Sequence, residues 1–158
     1  MSSEYNSNFP WISKYPPDVP EDINATIIVS ANVWATEEDT KVLKALETLF
    51  PEITFSNNNN IISGRTNHLT ALNNLAERMY EQKILDAGRR RVLQGSLDTL
   101  AEFYLHKQVA LVNKVAFCEP DESPMGPITV KIISDSLNQL IRLYFPKYEW
   151  FYESKELD

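Results

Sequence analysis

The chain has 158 residues, 43% of them apolar and 23% charged, with a formal net charge of −7. That length suits one domain around one substantial core, and the apolar share is too high for a disordered chain. The acidic balance argues against a nonspecific nucleic-acid binder, and no run of about 18 apolar residues offers a membrane span.

The start, Met1 to Asn8, is polar and lacks the basic-then-apolar order of a secretory leader, and the one cysteine, Cys118, cannot close an internal disulfide. Both point to the cytoplasm. The charge is uneven. Residues 64–118 carry 8 Lys and Arg against 5 Asp and Glu, so the middle of an acidic chain is net basic. The bland alternative is ordinary variation along a helical surface.

Residues 1–24 form a compositional zone of their own. Pro10, Pro16, Pro17 and Pro20 prevent regular structure, and Asp18, Glu21 and Asp22 add acid. Phe9, Trp11 and Tyr15 are large apolar anchors in it. The zone reads as an extended arm that packs on its own domain or on a partner, with plain disorder as the alternative. Residues 25–158 read as a single domain.

Residues 25–34 are rich in β-branched side chains and predict a first strand. Thr36 is an N-cap candidate for a helix that places Val42, Leu43, Ala45, Leu46, Leu49 and Phe50 on one face and stops at Pro51. Ile53 to Phe55 and Ile61 to Arg65 flank the Asn57 to Asn60 run, a hairpin signal. Asn67 is a second N-cap candidate, for a helix running to about Gln82. A further helix covers about Ile84 to Gln94, with Gly95 as a left-handed cap. Residues 101–117 predict two strands around a His106-Lys107-Gln108 junction. Pro127 to Ile133 predicts another strand. A last helix, capped by Ser134 or Asp135, runs to about Phe145. The aromatic end, Tyr148, Trp150, Phe151 and Tyr152, is expected over a sheet edge. The order is that of an α+β fold: two layers, a mainly antiparallel sheet with helices on one face.

Signals for chemistry are sparse. His68, His106 and Cys118 are not at metal-ligand spacing, and 4 glycines cannot build a generous phosphate cradle. Glu37/Glu38 and Asp121/Glu122 read as helix-start and turn residues. No cofactor is expected, and the chain reads as a non-enzyme; a small-molecule enzyme is the least favoured alternative. The basic cluster is Lys83, Arg89, Arg90 and Arg91. Three consecutive arginines on a helix point about 100° apart, so one phosphate groove cannot take all three. Contact with an RNA backbone is one function for them, and local ion pairs on a solvated helix the other.

Several motifs in order carry a resemblance. Ala35-Thr36-Glu37 with Leu49-Phe50-Pro51, Ser63-Gly64-Arg65, Gln82-Lys83-Ile84-Leu85-Asp86, His106-Lys107-Gln108-Val109-Ala110 and Pro124-Met125-Gly126-Pro127-Ile128 resemble Uncharacterised Protein Family 0201 over about residues 25–133. The resemblance implies a two-layer domain similar to large-ribosomal-subunit protein five. It also implies an archaeal-type protein that binds RNA, double-stranded RNA included, or joins an RNA-processing assembly such as the exosome. Two positions depart from the pattern: His106 stands where the family tends to have asparagine, and Asn113 where a glycine is expected. Arg65, Lys83, Arg89, Arg90, Arg91, Lys107, Gln108 and Lys114 form the expected RNA-contact set. The competing function is a protein-interaction module, as a homodimer or a subunit of a larger assembly, with Trp11, Trp150 and Phe151 as interface anchors.

Overall fold

In the computed structural model of the protein, residue 12 and residues 14–151 are described. The expected anchors Phe9, Trp11 and Tyr152 lie outside them. Strand β1 (Ala25–Asn32) shows the period-2 pattern of a half-buried strand: Ala25, Ile27, Val29 and Ala31 are buried, and the residues between them face the other way. It pairs antiparallel with β3 (Ile61–Thr66) on one side and β6 (Ile128–Ser134) on the other. With β2 (Phe55–Asn58), β5 (Leu100–Leu105) and the two-residue β4 (Ser96–Leu97), the sheet reads β2-β3-β1-β6-β5-β4, antiparallel throughout.

One face is covered by α1 (Asp39–Leu49), α2 (Asn73–Glu81), α3 (Leu85–Gln94), the single-turn α4 (Lys107–Ala110) and α5 (Leu137–Tyr144). Their apolar stripes meet the inward rows of the strands in one core that includes Leu46, Phe50, Leu75, Val92, Phe103, Ile132 and Tyr144. The α+β architecture is the expected one. Among the described residues no helix is long and apolar enough to cross a membrane.

Several local expectations are corrected. Thr36 is not the cap of α1. Glu37 accepts a hydrogen bond from the Trp34 backbone N–H (3.0 Å), closing a turn, and the helix starts only after Glu38, with no side-chain cap. The single helix expected from Asn67 breaks into a 3-10 turn (Leu69–Leu72) and α2, because the Asn67 side chain accepts from Thr26 Oγ1 (3.1 Å) instead of capping. The Asn hairpin forms as predicted. Asn59 and Asn60 both take positive φ (53° and 65°), the backbone a tight two-residue hairpin requires.

The strand expected over Val109 to Phe117 is absent. The chain winds one helical turn, reverses at Asn113 (φ 58°) and touches the sheet only through a bridge between Phe117 and Leu105. Burial of Ala110 and Val115 outweighs the β-propensity of this apolar run. The aromatic end packs on helices rather than on a sheet edge. Tyr148 stacks on Tyr80 of α2 with ring centroids 5.5 Å apart and planes 4° apart. Phe151 lies 5.2 Å from the same ring. From the arm, Tyr15 stands edge-on to Phe151 and donates to the Tyr144 carbonyl (2.7 Å).

Candidate nucleic-acid interface

The expected contact residues fall in four places. Arg89, Arg90 and Arg91 diverge as helical geometry demands. Arg89 turns toward the core, where its guanidinium lies 5.0 Å over the buried Trp150 ring and donates to the Phe145 carbonyl (3.0 Å). Burial, reinforced by the neighbouring charge of Arg142, pulls its pKa below the ordinary arginine value, with Asp86 opposing. Arg91 turns the other way and pairs with Glu119. Arg90 is exposed and has no hydrogen-bond or ion-pair partner among the described residues.

Arg90 is not isolated. It lines a groove of about 460 Å³ with Asp86, Arg89, Leu93, Gln94, Lys147 and Glu149. Asp86 accepts the Tyr148 backbone N–H (3.0 Å), which docks the chain after α5 against α3 and brings Lys147 to the groove. Lys147, like Arg90, is exposed and unpaired among the described residues. Leu93, 44% exposed, adds apolar surface. Sequence inspection missed Lys147, because its only signal was a lone lysine between Pro146 and Tyr148.

Lys83 and Lys114 are brought together by a two-bond clamp between their chain neighbours. Gln82 Nε2 donates to the Val115 carbonyl and the Val115 N–H donates to Gln82 Oε1, each at 2.8 Å. Lys83 itself has positive φ (61°), and Lys114 follows left-handed Asn113. The asparagine that replaces the expected glycine is therefore a residue that tolerates the conformation. Both lysines are exposed.

Lys107 is buried, and this removes it from the contact set. Its ammonium donates to the Asn32 carbonyl (2.6 Å), the Met125 carbonyl (2.7 Å) and Glu37 Oε1 (3.0 Å), which uses all three of its protons. Gln108 beside it is exposed at the mouth of a separate cleft of about 340 Å³, lined also by Lys41, Val42 and Leu111. His106 pairs with Glu122, Nε2 to Oε2 at 3.3 Å, across the turn after Cys118. Arg65 stands on β3, on the sheet face that the helices leave open. Among the described residues there is no group of three His, Cys, Asp or Glu placed to hold a metal.

A family model described as RNA binding matches residues 26–134. The UPF0201 protein PH1010 of Pyrococcus horikoshii is 37% identical over 123 residues, covering 75% of this chain and 88% of its own length. The UPF0201 protein of Sulfurisphaera tokodaii is 34% identical, covering 77% and 87%. Among solved structures, the UPF0201 protein from Methanococcus jannaschii superposes with a TM-score of 0.67 at 32% identity, over 77% of this chain and 93% of that one. A second UPF0201 crystal structure gives 0.68 at 28% identity, over 77% and 94%.

Proposed function

Since the chain belongs to the UPF0201 family, we propose that it binds structured RNA through its helical layer, as a non-catalytic, cytoplasmic accessory of RNA processing. The observation that carries this is the groove beside α3. Two cations on different elements, Arg90 and Lys147, face solvent there without carboxylate partners among the described residues, in a protein whose net charge is −7. Asp86 and Glu149 line the same groove, but neither forms an ion pair with Arg90 or Lys147, so both cations keep their donors for a ligand.

Structured RNA is recognised largely by its backbone and shape, which asks for cations and hydrogen-bond donors rather than a base-reading motif. Arg90 and Lys147 contact phosphate, and Lys83 and Lys114 extend the contact beyond the α2–α3 turn. Arg89 holds the Trp150 segment, and so Lys147, in place. The description of the family model as RNA binding supports the same function.

The experiment is titration of the purified protein into a labelled RNA duplex and a labelled single strand at two salt concentrations. Salt-sensitive duplex binding is expected. Absence of binding at the lower salt, where phosphate contacts are strongest, would overturn the proposal.

A further inference from the structure

The uncovered face of the sheet has a symmetry that the proposed RNA groove does not use. Strand pairing aligns Arg65, Ile28, Lys131 and Glu102 in one rank across β3, β1, β6 and β5. The next rank is Ser63, Ser30, Thr129 and Tyr104. A third joins Thr26, Ile133 and Leu100. None of these side chains belongs to the core, and Ile133 and Leu100 are 40% and 36% exposed.

Two features of the first rank matter. Glu102 and Lys131 are direct cross-strand neighbours, yet Glu102 is engaged by the Tyr104 hydroxyl and makes no ion pair with Lys131. Arg65 likewise has no ion-pair partner among the described residues. Arg65 and Glu102 also sit equally far from the midline between β1 and β6, on opposite sides.

We propose that this face is the contact surface for a second copy of the chain, through a two-fold axis that runs parallel to the strands along the β1/β6 midline. Such an axis keeps each rank at its own height and exchanges β3 with β5 and β1 with β6. Each Arg65 then meets the Glu102 of the other copy, twice by symmetry, as an isologous interface requires. Ile28 meets the aliphatic stem of Lys131. Ser30 meets Thr129, each hydroxyl able both to donate and to accept, and Ser63 meets Tyr104, whose hydroxyl donates to Glu102 and so accepts from the serine. Ile133 covers the Thr26 methyl. The small side chains at the centre of the serine rank, Ser30 and Thr129, let two sheets approach to about 10 Å, the usual face-to-face spacing.

Charge singles out a second copy over an acidic peptide. The rank carries both signs, placed so that Arg65 meets the Glu102 carboxylate only when the partner presents the same rank reversed. Four strands at about 4.8 Å and three ranks about 7 Å apart give a face of roughly 400 Å² per copy, about 800 Å² in all. That area is at the low end for specific complexes, so the dimer should dissociate on dilution.

The test is sedimentation velocity of the full chain over a dilution series. The wild type is expected to pass from dimer to monomer as it is diluted. Arg65 is exposed, so Arg65→Glu leaves the fold intact; it places like charges opposite each other twice and should weaken self-association roughly tenfold or more. The charge exchange Arg65→Glu with Glu102→Arg restores the pairing and should recover most of that loss. A wild type that stays monomeric at the highest concentration, leaving the face to some other partner, would overturn the proposal. So would an Arg65→Glu protein that associates as tightly as the wild type, or a charge exchange that recovers nothing.

Discussion

Lys107 and Glu37 form an ion pair, Nζ 3.0 Å from Oε1, with only 7% and 15% of their side-chain surfaces exposed. The pair is a three-way tie. Through Lys107 it joins the end of β1 at Asn32, the turn before α1 at Glu37 and the turn before β6 at Met125. Removing the ammonium strands a shielded carboxylate and two carbonyls, and breaking a buried pair from one side is strongly destabilising. Lys107→Met should therefore lower unfolding stability by about 3 kcal/mol in urea titration. A loss below about 1 kcal/mol would mean that water replaces the ammonium and the tie is not structural.

Gly95 and Gly126 reverse the usual expectation for glycine. Gly126 has φ 74°, where an L side chain is strained, but a Cβ there meets nothing closer than 3.6 Å, the Trp34 indole nitrogen. Gly95 has φ −92°, an ordinary value, so it is not the left-handed cap its place after α3 suggested. Its Cβ would instead lie 1.9 Å from the Glu102 carbonyl oxygen, in the backbone that Gly95 O binds through Glu102 N–H (3.0 Å). Gly95→Ala should cost about 3 kcal/mol by forcing α3 away from β5. Gly126→Ala should cost about 1 kcal/mol, the left-handed penalty alone. Thermal melts of the two variants give the order, and a larger loss at Gly126 would contradict the steric account.

The elements legible in the sequence were those fixed by local rules. Alternation placed β1 and β6, the Asn57 to Asn60 run placed the hairpin, and helical spacing placed α1, α3 and α5. The Val109 to Phe117 segment was misread because composition cannot say that Ala110 and Val115 are worth more buried against helices than paired in a sheet. The candidate site was half legible. Three arginines in a row had to diverge, but which of them faces solvent depends on Trp150 and Glu119, which lie 61 and 28 residues away from Arg89 and Arg91 respectively. Lys107 looked like a surface lysine because its three acceptors come from distant turns.

Cys118 should be chemically quiet. It is 2% exposed, and burial, with Glu122 nearby, pushes its thiol up to about 11 from a usual value of 9.0, against the weaker pull of Arg91. Only the thiolate reacts, so at pH 8 a rise of that size cuts its reactive fraction by about 100-fold before access is considered. A group whose folded pKa is raised contributes stability fully at low pH and loses it as pH climbs from about 9 to about 11. Reaction with an aromatic disulfide reagent at pH 8 should be slow in the native protein and fast in urea. Equal rates in both would show the thiol to be exposed.

The arginines of α3 should separate into two phenotypes. Arg90→Gln with Lys147→Gln removes two exposed cations that hold nothing together among the described residues, so melting should change little. If both touch phosphate, the slope of log affinity against log salt falls by about 2, because each contact releases about one counterion. Arg89→Gln acts on the fold. It loses a charged hydrogen bond to the Phe145 carbonyl and the stacking on Trp150, and should cost about 2 kcal/mol of stability. Fluorescence of Trp150 reports that loss, and RNA binding should weaken as the segment carrying Lys147 loosens. An unchanged salt slope in the Arg90/Lys147 variant would remove the groove from the RNA contact. An Arg89 variant of wild-type stability with a slope reduced by about 1 would make Arg89 a phosphate ligand rather than a support for one.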